Sequence, residues 1–195
     1  MNFLDLVAKR YSVRRYDSRK PDRQSIYRCL EAARLAPSAV NSQPWHFVVA
    51  DDEEKVRALG RAAAPAGAMN RFAHGAPVIA ALVVEKPNLI SRLGSFLKDK
   101  AYYLLDIGIA AEHFCLQAAE EGLGSCIIGW FDEKGVKESL DIPASKRVAL
   151  LISLGYPAES GRNGELDEPS DGPAKKRKSI EEMSSFNSYG SGGQA

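Results

Sequence analysis

A chain of 195 residues, 45% hydrophobic and 26% charged, has the length and balance of one folded domain with a substantial core. The 26 basic and 25 acidic side chains leave a formal net charge of +1, which excludes general affinity for nucleic acid or for an anionic membrane surface. No basic stretch followed by an apolar run opens the chain, so no secretion signal is read and a cytoplasmic location is expected.

The first periodic segment is Asn2 to Arg10, a short helix with Phe3, Leu6 and Val7 on one side. A polar turn over Asp17 to Pro21 leads to a helix from Asp22 to Leu35, striped by Ile26, Cys29, Leu30 and Ala33 and ended by Pro37. His46 to Ala50 reads as a strand, and Asp52 starts a helix that breaks near Pro65 and Gly67. Pro77 to Val84 is a continuous apolar run, expected of a strand buried on both faces. Asp99 to Glu121 is the longest helical pattern, apolar nearly all round, and suits a protein centre or a subunit interface. Its apolar run is interrupted by Asp106, Glu112, His113 and Gln117, which argues for a buried helix over a membrane span. Ser125 to Trp130 and Val148 to Leu154 are strands, separated by a short helix that Asp132 caps. Residues 157–173 form an acidic, Gly/Pro-rich connector, and residues 188–195 a frayed Gly/Ser-rich tail. Helices and strands are mixed without strict alternation, giving one α+β domain over residues 1–195 built on a central sheet.

Few residues carry chemistry. Cys29, Cys115 and Cys126 are widely spaced, and His46, His74 and His113 share no ligand spacing, so the thiols read as reduced core residues and no metal site is assigned. No Ser-His-Asp or Cys-His arrangement offers a protein nucleophile. Two segments stand out. Pro37 to Trp45 places Ser38, Asn41, Ser42 and Gln43 between two prolines, and the amides of Asn41 and Gln43 each present a donor and an acceptor that suit the edge of a planar heterocycle. Arg10 to Arg15 offers three guanidinium groups and a hydroxyl that fit a phosphate. If that stretch is extended, Arg10, Ser12 and Arg14 share one face while Tyr11 and Val13 take the other. Each segment also has a plain reading, the first as a helix-to-strand connector and the second as a solvated basic helix end. Lys175 to Lys178 is unspecific by composition: a solvated charge run, a basic patch for nucleic acid, or a cofactor contact.

The stretch Ala36 to Trp45, with Arg10-x-Ser12-x-Arg14 before it, resembles the signature of the nitroreductase family of flavin mononucleotide (FMN) enzymes. The resemblance continues in order through Leu105 to Glu112, Gly122 to Cys126, Leu154 to Pro157 and Lys175 to Lys178. It implies a nitroreductase-like fold with a central mixed β-sheet flanked by helices, and a homodimer with exchanged terminal segments holding FMN at its interface. By the same resemblance Arg10, Ser12 and Arg14, with Lys175 and Arg177, would meet the FMN phosphate and ribityl chain. Pro37, Ser38, Asn41 and Gln43 would meet the ring and ribityl groups, partly from the partner subunit. Ile127, Ile128 and Gly129 would run past the flavin and offer a backbone N–H, and Asn70 would be a further ring contact; Trp45 reads as core packing. Residues 86–100, with Leu89, Leu93, Phe96 and Leu97, would form a short apolar lid. The activity implied is transfer of electrons from NADH or NADPH through FMN to a nitroaromatic, quinone or similar small acceptor, in a ping-pong cycle without an obligatory catalytic side chain. The absence of a Gly-x-Gly-x-x-Gly fingerprint argues against a separate nucleotide domain. Alternatives are a specialised flavoenzyme of the same fold (a dehalogenase, dehydrogenase or flavin-fragmenting enzyme) and a flavin-binding protein without turnover.

Overall fold

Among the described residues four strands organise the core: β1 (Trp45–Ala50), β2 (Val78–Val84), β3 (Gly124–Ile128) and β4 (Arg147–Gly155), in the spatial order β1-β2-β4-β3. The computed structural model describes residues 2–65, 70–86, 88, 100–158 and 177–190. Each neighbouring pair is antiparallel, so the mixed sheet expected from the sequence is corrected to an antiparallel one among the described strands. The reason lies in the connections. After β1 the chain makes a helical excursion and re-enters opposite its own exit, with Ala50 beside Ile79. Between β2 and β3 it crosses over, but β4 is inserted between them and runs against both.

Among the described residues six α-helices accompany the sheet: α1 (Phe3–Lys9), α2 (Arg23–Arg34), α3 (Glu53–Ala63), α4 (Tyr102–Glu120), α5 (Glu133–Ser139) and α6 (Ile180–Met183). The period-two alternation of the strands divides the core into two layers. Val78 and Leu82 of β2, with Ile152 and Leu154 of β4, face Cys29 and Ala33 of α2 and Ile107, Phe114 and Cys115 of α4. Ile79, Ala81 and Val83, with Leu151, face Val56 and Leu59 of α3 and Val136 of α5. Burial on both faces explains why β2 reads as an unbroken apolar run and β4 as one interrupted only by Ser153 between Val148 and Leu154. Trp45 packs at the edge of the first layer, as expected, and Phe47 stacks on Phe114 with centroids 5.5 Å apart.

Local chemistry sets the helix boundaries. Asp22 caps α2 through Ser25 N–H, Asp52 caps α3 through the amides of Glu54 and Lys55, and Asp132 caps α5 through Lys134 N–H. Arg28 of α2 donates from Nε to Glu121 at 2.6 Å, locking α2 to the end of α4. Helix α4 nonetheless leaves Leu104, Leu105 and Ile109 exposed, and α1 exposes Phe3 and Leu4. Among the described residues no helix is long and apolar enough to cross a membrane.

Burial also makes the core sensitive to alkali. It pushes the thiols of Cys29 and Cys115 up to about 12, and it raises the Tyr16 phenol, which donates or accepts with Ser153 Oγ at 2.8 Å. In the unfolded chain the thiols release their protons near pH 8.5, whereas the folded chain keeps them. The unfolded state thus binds fewer protons above that pH, and stability falls as pH rises, by up to about 1.4 kcal/mol per unit for each group. The urea midpoint is expected to drop between pH 7.5 and 9.5; an unchanged midpoint would contradict the burial of these thiols.

Candidate functional site

The segment after α1 runs extended along the outer edge of β3. Val13 N–H donates to Ser125 O at 3.0 Å, Ser12 bridges Ser125, and further along Tyr16 bridges Pro157. Val13 is buried while Ser12 and Arg14 are exposed, so the alternation expected from the sequence holds from Ser12 to Arg14, whereas Arg10 and Tyr11 are both half-buried. Close approach is possible because Gly124 lacks a side chain: a Cβ there would lie 2.5 Å from Val13 Cγ2. Arg10, Ser12 and Arg14 all act on the thiol of Cys126, whose pKa burial raises and the Arg14 charge and Ser12 hydroxyl lower.

The two arginines differ in what they can still bind. Arg10 lies with Nε 3.2 Å from Glu112 Oε1 of α4, and that Nε is buried without a well-aligned hydrogen bond. Arg14 is exposed, and its guanidinium sits over the Phe72 ring, 5.8 Å from the centroid. A cation–π contact of this kind holds the charge near the ring while leaving its N–H groups for an anion. Arg15 is an exposed charge, as expected, with its carbonyl accepting Ala158 N–H.

The polar loop takes an uncommon backbone path. Val40, Asn41 and Gln43 have φ of 47°, 53° and 45°, in the left-handed region that β-branched residues in particular avoid. Such a path costs roughly 1 kcal/mol or more per residue and persists only where surroundings enforce it. Here Ala39 N–H donates to Asp106 Oδ1 of α4 at 3.0 Å, Gln43 N–H to Ser38 Oγ at 2.9 Å, and Asn88 Nδ2 to Val40 O at 3.1 Å. Gln43 Nε2 turns back to Asn41 Oδ1 at 3.0 Å, so the Asn41 amide hydrogens and the Gln43 carbonyl remain for a ligand among the described residues. Pro37, Asn41 and Gln43 are exposed and Ser38 half-buried. Asp106 is buried, and its Oδ2 has no hydrogen-bond partner among the described residues.

At the end of β3, Ile128 turns inward, Ile127 is 39% exposed, and Gly129 stands outside the strand with open space around its Cα. Asn70, itself left-handed at φ 61°, donates from Nδ2 to Trp130 O at 2.8 Å and to Ala63 O at 3.3 Å. The amide hydrogens of Asn70 thus hold the protein's own turn, which leaves only its carbonyl for a ring contact. Arg177 is exposed ahead of α6, whereas Lys175 and the lid residues Leu89, Leu93, Phe96 and Leu97 lie outside the described residues.

Apart from Arg10, held at Glu112, and Arg177 ahead of α6, the expected site residues among those described form two groups. One joins Ser12, Arg14, Asn70 and Ile127 to Gly129 around the end of β3; the other is the loop from Pro37 to Gln43. Asp106 and Glu112, which hold the loop and Arg10, lie about 9 Å apart along α4 and about 120° apart around it. One chain thus carries the two groups on different faces of that helix. A cavity of about 230 Å³ lined by Tyr27, Leu30 and Val49 includes none of the nominated residues, and one of about 70 Å³ beside Arg10 and Ser125 is too small for a tricyclic ring. Asp106 and Glu112 were not singled out as functional by sequence. The signal available was a carboxylate interrupting an otherwise apolar helix.

The model of the nitroreductase family matches residues 7–68 and 65–156. A protein of Archaeoglobus fulgidus assigned as an NADH dehydrogenase/NAD(P)H nitroreductase is 32% identical over 169 residues, covering 85% of this chain and 91% of its own length. The oxygen-insensitive NADPH nitroreductase of Helicobacter pylori is 29% identical over 189 residues, 80% of this chain and 90% of that protein. Among solved structures, an FMN-dependent nitroreductase of Clostridium difficile R20291 superposes with a TM-score of 0.74 at 26% identity, covering 96% of this chain and 100% of that one. The chain belongs to the nitroreductase family, and with it to the oxidoreductases.

Proposed function

We propose that the protein is an FMN-dependent oxidoreductase that moves reducing equivalents from NADH or NADPH to a small planar acceptor, a nitroaromatic or a quinone, as a homodimer. The observation that carries this reading is a pair of segments on one chain, an exposed guanidinium at the β3 edge and a strained loop that leaves the Asn41 amide hydrogens and the Gln43 carbonyl without partners among the described residues. Family membership and the names of the relatives support the same chemistry. When bound, FMN supplies the two-electron carrier that no side chain here offers.

The chain's own residues fit that cofactor. Arg14 and Ser12 pair the phosphate, which must be neutralised as it leaves water, and Lys175 and Arg177 add charge from the carboxy-terminal segment. Asn41 and Gln43 offer the donor and the acceptor that a heterocycle edge requires. The open backbone at Gly129 admits a planar ring at close range, and a peptide N–H there favours negative charge on it. Asp106 keeps the loop in its left-handed path. A second copy completes the site: its loop reaches the first chain's arginine segment, and the exposed Leu105, Ile109, Phe3 and Leu4 are covered in the same contact. With no separate nucleotide fingerprint, donor and acceptor use one place in turn.

The test is the ultraviolet–visible spectrum of the purified protein, recorded before and after anaerobic addition of NADH or NADPH. Flavin bands that bleach are expected. Bands that persist would remove the nicotinamide-linked activity, and no bands even after incubation with FMN would remove the cofactor.

A further inference from the structure

Three aromatic side chains lie around the end of β3, and two of them, Phe72 and Phe131, pack against the second core layer. The third, Trp130, is 67% exposed. Its backbone is held just beyond the side chain: Asn70 donates to its carbonyl at 2.8 Å, and two residues on Asp132 N–H donates to Ala62 O at 2.8 Å. A floppy loop could not present an indole reproducibly, whereas this one is fixed at its root and left out of the core. Such an arrangement gives up the burial a tryptophan ordinarily gains and suits a ring that binds something flat. Its neighbours are those nominated for the cofactor. Gly129 precedes it in the chain, Asn70 bonds it, and Arg14 lies over Phe72, two residues from Asn70.

We propose that Trp130 is a specificity-determining residue of this site, its indole face stacking on a flat aromatic acceptor beside the flavin. The inference rests on the FMN reading above and extends it to the acceptor. Stacking rewards planar rings and offers nothing to compact inorganic oxidants, so Trp130 sets preference between acceptors rather than the chemistry.

The chain has two tryptophans, Trp45 and Trp130, so Trp45→Phe leaves Trp130 as the single indole reporter. In the FMN-loaded Trp45→Phe protein without NADH or NADPH, added menadione is expected to quench the indole emission saturably. In steady-state assays Trp130→Ala should lower the preference for menadione over ferricyanide by about fivefold, through KM for menadione, and Trp130→Phe should keep it within about twofold. Bound flavin with no quenching and unaltered preference would overturn the role of Trp130 while leaving the functional reading in place. Loss of flavin from Trp130→Ala would likewise overturn it, making the residue a cofactor support. Failure of the parent protein to bind FMN would overturn both.

Discussion

Arg14→Ala is expected to weaken FMN binding by about tenfold or more, the loss typical of one charge-assisted hydrogen-bonding partner of a phosphate. Of the two arginines, Arg10 already has Glu112 beside it, 3.2 Å from Nε, whereas Arg14 is exposed with its guanidinium 5.8 Å from the centre of the Phe72 ring. Removing Arg14 therefore removes the charge most free to meet an anion. Arg14→Lys should recover part of the affinity through charge alone, since an ammonium neither stacks as a plane nor donates as a fork. Equilibrium titration with FMN at two ionic strengths measures both effects, and the difference between parent and Arg14→Ala should shrink as salt rises. Equal affinity in parent and variant would take Arg14 out of the site.

The second large effect is structural. Gly124→Ala puts a methyl group 2.5–2.8 Å from all three outer carbons of Val13, a buried residue that cannot swing into solvent. The arginine segment must lift away from β3, at a cost of about 1–3 kcal/mol in stability. Because Val13 N–H is bonded to Ser125 O and Arg14 is the next residue, FMN affinity should fall with stability. Val13→Ala removes the methyl groups at 2.5 and 2.8 Å but keeps the Cβ at 2.7 Å, so it relieves the clash in part, and the double variant should be more stable than the sum of the single effects predicts. Urea denaturation of the four proteins completes that cycle. Strict additivity would mean that Gly124 and Val13 do not share the contact.

Much of the secondary structure was legible because each element carries a local cause. Apolar alternation and runs mark β2 and β4, and Asp22, Asp52 and Asp132 announce the helices they cap. Strand pairing was not legible, since an apolar run buried on both faces says nothing about the direction of its neighbours. The site shows the same division. Residue types and spacing marked Ser12, Arg14, Asn41 and Gln43 as groups able to bind a phosphate and a heterocycle. The left-handed conformation of Val40, Asn41 and Gln43 was hidden, because it opposes the preference of Val40 above all and is imposed by Asp106 and Asn88 from distant parts of the chain.

By itself, then, the sequence determined the α+β composition, the family and the chemical repertoire of the two binding segments, all properties of short stretches and their order. Tertiary structure alone decided the antiparallel order β1-β2-β4-β3, the engagement of Arg10 by Glu112 against the exposure of Arg14, and the exposure of Trp130 on a turn that Asn70 holds. These depend on which residues meet across dozens of intervening positions, where the free energy comes from burial and partners rather than from local propensity.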